Sequence, residues 1–133
     1  MRYYLDTSIW IDYFEKRGVN GEYAIKLLLN IIREDTIILF SDLHVREFKH
    51  LGYGSGQVNI LLKIAKPDKI GRVHISREQI AEARRLGSQR NVPFGDALHA
   101  ILARDNEAVL VSRDGDFQKL RDVCETKKPE EFQ

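Results

Sequence analysis

The chemistry this sequence can offer rests on its acids, above all Asp6, Glu47, Asp96 and Asp114. Asp6 directly follows a strand-like run, and Asp114 comes shortly after another that ends at Val111. Glu47 lies on the helical segment after Phe40, and Asp96 in the first turn of a helix that opens near Pro93. If the strands are parallel, the loops that follow them open on one edge of the sheet, where ligands bind. Two carboxylates about 4 Å apart repel by roughly 4 kcal/mol at an effective dielectric of about 20, so four converging acids need a counter-charge. Hard oxygen ligands that leave room for water favour Mg²⁺ or Mn²⁺. One or two such ions would activate a water, hold a phosphate oxygen and stabilise a leaving oxygen, which is the chemistry of phosphodiester hydrolysis. A plainer reading stands beside this one. Each Asp could be only a helix cap or a first-turn acid favoured by the helix dipole, and Glu47 a solvated helix residue. Spacing alone leaves both open.

The elements that would position these acids can be read from periodicity. Residues 2–5 suit a short buried strand rich in aromatic β-formers. Residues 36–40 are a continuous apolar run, as expected of a strand covered on both faces. Residues 72–75 and 108–111 are further short strand candidates. Asp6, Thr7 and Ser8 can cap a helix over residues 9–16, and residues 22–33 place Ile25, Leu28, Leu29 and Ile32 on one helical face. Ser41 and Asp42 supply cap chemistry for a helix carrying Val45, Glu47 and Phe48. Leu61, Leu62, Ile64 and Ala65 suggest another, ended by Pro67. Ser76 and Gln79 have the capping-box spacing and open a helix to about Arg90. Residues 93–104 form the next, with Ala97, Leu98, Ile101 and Leu102 on one face, and residues 117–123 a last short one after a turn at 112–116. Buried strands alternating with helices predict an α/β fold, a single domain over residues 1–133 with a parallel sheet sandwiched by helices in three layers.

Composition narrows the class. A chain of 133 residues fits one domain with a real core, and 43% hydrophobic with 31% charged residues argues against disorder. No apolar run approaches the roughly 20 residues of a membrane helix. The one cysteine, Cys124, excludes an intramolecular disulfide and paired-cysteine zinc sites. With an acid at position 6, where an export signal would be apolar, a cytoplasmic setting is expected. The net charge of +1 lacks the basic excess common in nucleic-acid binders, but acids gathered on a metal would mask a local basic surface.

Four segments together carry a family resemblance. They are residues 4–8 with Asp6, Thr7 and Ser8; residues 41–48 with Glu47; residues 93–100 with Pro93, Gly95, Asp96 and His99; and residues 110–117 with Ser112, Asp114 and Asp116. In this order and at these spacings the chain resembles PIN-domain nucleases, and in length VapC-type toxins of toxin–antitoxin pairs. The resemblance covers nearly the whole chain. It implies a helix-sandwiched parallel sheet and metal-dependent endoribonuclease activity, a hydrolase reaction with Mg²⁺ or Mn²⁺ held by clustered acids. By motif position the ligands would be Asp6, Glu47, Asp96 and Asp114, with Asp116 as an auxiliary acid. Ser8 and Ser112 fall at hydroxyl positions near the cluster, Ser112 standing where Thr is frequent. No primary acid is missing, which argues against an inactive member. The implied partners are RNA as substrate, an antitoxin that would block the acidic groove, and a second copy in a homodimer.

Weaker candidates surround these. His99 can share a helix face with Asp96 and could contact phosphate or assist proton transfer; a packed, hydrogen-bonded histidine is the plainer reading. Arg46 and Arg113 flank proposed ligands and could hold the RNA backbone, whereas Lys49, Arg84, Arg85 and Arg90 default to a solvated face. Trp10, Tyr13 and Phe14 could stack bases, but helical spacing favours core or dimer packing. Gly52, Gly54 and Gly56 follow a helix rather than a strand and lack a Gly-Lys-Ser/Thr sequence, so a flexible break is expected rather than a phosphate loop. Two rival functions remain. One is a phosphotransfer domain with a single phospho-acceptor Asp, and the other a non-catalytic module of the same fold that binds RNA or protein.

Overall fold

The computed structural model describes residues 1–15, 18–34, 36–54, 56 and 70–132. In chain order the elements are β1 (Arg2–Leu5), α1 (Thr7–Glu15), α2 (Gly18–Arg33), β2 (Ile37–Ser41), α3 (Asp42–His50), β3 (Ile70–Val73), α4 (Arg77–Arg90), α5 (Phe94–Asp105), β4 (Val109–Val111), a 3-10 helix (Gly115–Leu120), β5 (Thr126–Lys127) and a second 3-10 helix (Pro129–Phe132). The helix expected around Leu61, Leu62, Ile64 and Ala65 lies outside the described residues.

The five strands pair in the order β3-β2-β1-β4-β5, and every pairing is parallel. Strand β1 is central, with Tyr4 level with Leu39 on one side and Leu110 on the other. Successive side chains on a strand point to opposite faces, and the core divides accordingly. Tyr4, Leu39 and Leu110 join Leu86, Leu98, Ile101 and Leu102 of α4 and α5. Tyr3, Leu5, Ile38, Val109 and Val111 join Ile9, Trp10, Leu27, Leu28 and Ile31 of α1 and α2. Both faces are dry, which is why the strands read as apolar runs without alternation. The result is the predicted three-layer α/β sandwich. Among the described residues, no helix is long and apolar enough to cross a membrane.

Local chemistry accounts for most boundaries. The Ser76 hydroxyl accepts from the Gln79 amide while the Gln79 side chain accepts from the Ser76 amide, the expected capping box at the start of α4. Asn91 ends that helix in the left-handed region at φ 55°, a conformation Asn tolerates at a helix C-terminus. Gly52, at φ 96°, ends α3, with its amide donating to the Lys49 carbonyl. The stretch after it is anchored: the Tyr53 ring packs edge-on to Phe14, and its hydroxyl donates to Glu15.

Several expectations need correction. The buried face of α2 is Ala24, Leu27, Leu28 and Ile31, while Ile25 is half-buried and Leu29 is 47% exposed. The sequence runs Leu27, Leu28, Leu29 and then Ile31, Ile32, so two apolar stripes one residue apart satisfy the helical period; packing against α1 and the sheet selects one. β3 starts and ends two residues earlier than residues 72–75. The last helix is a 3-10 turn starting at Gly115, because the Asp114 side chain accepts from the Asp116 amide and tightens the chain immediately after β4. β5, only two residues long, adds an unforeseen edge strand.

Candidate metal centre

The register of the sheet brings the chain ends of β1, β2 and β4 to one edge, and the acids gather there. Asp6 continues directly from β1, its amide donating to the Val111 carbonyl at 2.9 Å. Its carboxylate is buried, and Oδ2 accepts from the hydroxyls of Ser8 at 2.8 Å and Ser112 at 2.9 Å. The Ser112 hydroxyl also accepts from the Asp114 amide at 3.0 Å. One serine thus ties the acid after β1 to the acid after β4.

Among the described residues, Asp96, Asp114 and Asp116 form a compact acidic group. One carboxylate oxygen from each lies within 4.8 Å of the others. Asp96 projects from the first turn of α5, and its Oδ2 is buried with no hydrogen-bond partner among the described residues. Burial, then the charges of Asp114 and Asp6, push the Asp96 carboxyl up to about 7; Asp116 adds to this and His99 opposes it. A buried oxygen without a donor, amid like charges, is costly for a protein to keep. A divalent cation would satisfy the oxygen and neutralise the crowding together, so the donor set fits such an ion. Both Asp114 and Asp116 are brought to Asp96.

Asp6 and Glu47 sit outside that three-acid group but border the same cavity. Asp6, Glu47, Asp96 and Asp114 all line an opening of about 440 Å³, together with Thr7, Ser8, Arg46 and His50. A neighbouring groove of about 420 Å³ shares Asp114 and carries Ser112, Arg121, Lys127, Lys128 and Glu130.

Glu47 is held differently from Asp96. Its Oε1 accepts from the Thr7 hydroxyl at 2.8 Å and from His99 Nε2 at 2.5 Å. Burial alone would raise the Glu47 carboxyl, but the hydrogen bond and charge of His99 and the hydrogen bond of Thr7 outweigh it, leaving the group below its ordinary value. Behind His99, Nδ1 meets the Tyr4 hydroxyl at 2.6 Å, and that hydroxyl meets Ser41 Oγ at 2.9 Å. His44 packs beside them with no exposed surface. Its Nε2 donates to the Leu5 carbonyl and its Nδ1 accepts from the Ser41 amide. Burial, reinforced by His99 nearby, holds the His44 imidazole down to about 3, so it stays neutral.

The weaker candidates divide. His99 is completely buried and turned toward Glu47. Arg46 is exposed on the cavity wall. Arg113 donates from Nε to Asp12 at 2.7 Å, and this buried acid ties the loop carrying Asp114 back to α1. Arg90 is spent on a two-pronged pair with Asp122, and Arg84 lies over the Phe94 ring. Trp10 is core. Sequence reasoning missed Thr7, Tyr4 and Ser41 as supports of the site. Thr7 was visible only as a helix cap, and Tyr4 only as a strand residue.

Residues 3–123 match the profile of the PIN domain. No curated protein sequence matches the chain. Several solved structures share its fold. VapBC2 from Rickettsia felis, solved bound to a DNA fragment from their promoter, is 18% identical with a TM-score of 0.71, the match covering 96% of this chain and 98% of that one. VapBC-1 from nontypeable Haemophilus influenzae is 15% identical with a TM-score of 0.69, covering 98% and 99%. FitAcB from Neisseria gonorrhoeae is 19% identical with a TM-score of 0.63, covering 98% and 99%.

Proposed function

Because this chain belongs to the PIN domain family, we propose that it is a metal-dependent endoribonuclease and the toxin of a toxin–antitoxin pair. The observation that carries the reading is the buried Oδ2 of Asp96, without a partner among the described residues, inside the group with Asp114 and Asp116. Capping accounts for Asp114 Oδ1, which accepts from the Asp116 amide, but not for Asp96 Oδ2, which a capping role would spend on a backbone amide. Fold relatives of the VapBC and FitAB type support a two-component partnership. An antitoxin that occludes the acidic cavity is therefore part of the proposal, with a second copy of the chain as a further partner and the cytoplasm as the setting.

Asp96, Asp114 and Asp116 would hold Mg²⁺ or Mn²⁺, with Asp6 and Glu47, which line the same cavity, completing the ligand set. When bound, the ion supplies Lewis acidity and neutralises charge during attack of water on phosphorus. The protein's own share is positioning. Ser8 and Ser112 fix the Asp6 carboxylate, Thr7 and His99 fix Glu47, and Arg46, exposed on the cavity lining, would take a backbone phosphate. Purified protein should cleave RNA with Mn²⁺ or Mg²⁺, lose the activity in EDTA and regain it when Mn²⁺ is restored. Asp6→Asn and Asp96→Asn should each be folded and inactive. Full cleavage by either variant, or cleavage indifferent to EDTA, would defeat the proposal.

A further inference from the structure

Among the described residues, the chain of buried polar groups behind Glu47 has no counterpart behind Asp96. A carboxylate only accepts hydrogen bonds, so His99 Nε2 must carry the proton in its 2.5 Å contact with Glu47 Oε1. The ring cannot turn freely, because Nδ1 is held at 2.6 Å by the Tyr4 hydroxyl, itself fixed by Ser41. Thr7, at the start of α1, donates to the same Oε1 at 2.8 Å. The second oxygen is confined by shape. A Cβ on Gly95 would lie 3.3 Å from Glu47 Oε2, so the absent side chain leaves room for that oxygen.

We infer that Tyr4, His99, Thr7 and Gly95 form a clamp that fixes the Glu47 carboxylate, with His99 as a positioning residue for metal binding rather than a contact to substrate. Two donors occupy Oε1 and leave Oε2 as the oxygen available to an ion. The complete burial of His99 fits this role, since a substrate contact needs a face on the cavity. The inference rests on the reading of Glu47 as a ligand. Outer partners that orient metal ligands typically change affinity by roughly 10–100-fold when removed.

The test is Mn²⁺ titration of the full chain without RNA, followed by electron paramagnetic resonance of the free ion, with each variant's fold checked by thermal melting. Glu47→Gln is the reference. His99→Leu should weaken Mn²⁺ about tenfold, while His99→Gln, which restores a donor toward Oε1, should recover most of that loss. Gly95→Ala should weaken Mn²⁺ about threefold, less than the loss of a whole partner, without lowering the melting temperature, because alanine is the better helix former. If His99→Leu does not fold, Tyr4→Phe takes its place, with a several-fold loss expected. Wild-type affinity in Glu47→Gln would overturn the ligand reading itself. Weakened binding in Glu47→Gln with wild-type binding in folded His99→Leu, or in Tyr4→Phe, would overturn the clamp alone. Equal loss in His99→Gln and His99→Leu would also overturn it, since the donor would then not matter.

Discussion

The two walls of the acidic cavity keep their carboxylates in opposite ways. On the α3 wall, Glu47 has two donors on one oxygen and sits below its ordinary carboxyl value. On the α5 wall, Asp96 keeps a buried oxygen without a donor among the described residues, and burial, then the neighbouring carboxylates, push its carboxyl up to about 7. The first arrangement is complete before any ion arrives and gives direction. The second is incomplete by itself and gives driving force. A protein that needed only a stable fold would have no reason to maintain the second, because each uncompensated buried polar group costs on the order of 1–3 kcal/mol.

The contrast can be broken most forcefully at Asp96. Asp96→Asn keeps the size and removes the charge. If about 4 kcal/mol of transition-state stabilisation goes with it, cleavage should fall roughly a thousandfold. Single-turnover cleavage of a labelled RNA reads this directly, and a loss of less than tenfold would mean that Asp96 is not central.

The same wall predicts a pH effect of definite sign. The Asp96 carboxyl is raised in the fold from 3.8 to about 7. Between those values the folded chain keeps a proton that the unfolded chain has released, so metal-free stability should fall as pH rises through that window. Glu47 runs the other way: its depressed value contributes stability above its ordinary 4.5, lost as pH falls through the folded value. Urea midpoints measured in EDTA across the upper window should therefore decline for the wild type and stay flatter for Asp96→Asn. Equal slopes in the two proteins would remove the crowding argument.

A smaller effect belongs to Thr7. Thr7→Val removes one of two donors to Glu47 Oε1 while His99 remains. A net hydrogen bond of about 1 kcal/mol corresponds to a loss of roughly fivefold in Mn²⁺ affinity. Calorimetric titration would measure it, and a loss as large as that of Glu47→Gln would show that Thr7 does more than support a neighbour.

How much of this could be read from the sequence depended on whether a feature was local. The central strands were legible because both faces are buried and nearly every residue had to be apolar. Asp6 was legible because it follows such a strand directly, and Ser112 and Asp114 for the same reason one strand over. The buried face of α2 was not, since Leu27, Leu28 and Leu29 permit two stripes and only the neighbouring layer selects between them. β5 was not, because a two-residue strand exists only through its pairing with Leu110 and Val111. The supports of Glu47 were hidden for a related reason. The Tyr4 hydroxyl reaches His99 only because α5 packs on the sheet face that Tyr4 enters, a relation between residues far apart in the chain. His99 itself was visible by its spacing from Asp96, but spacing alone did not reveal that it turns inward.

The most direct test of the central claim is a crystal of the full chain soaked in Mn²⁺, with anomalous scattering recorded at the manganese edge. The account predicts a peak bounded by the carboxylates of Asp96, Asp114 and Asp116, facing Asp6 and Glu47, and no such peak in Asp96→Asn. A wild-type crystal with no manganese in that cavity, or with manganese bound equally well in Asp96→Asn, would contradict it.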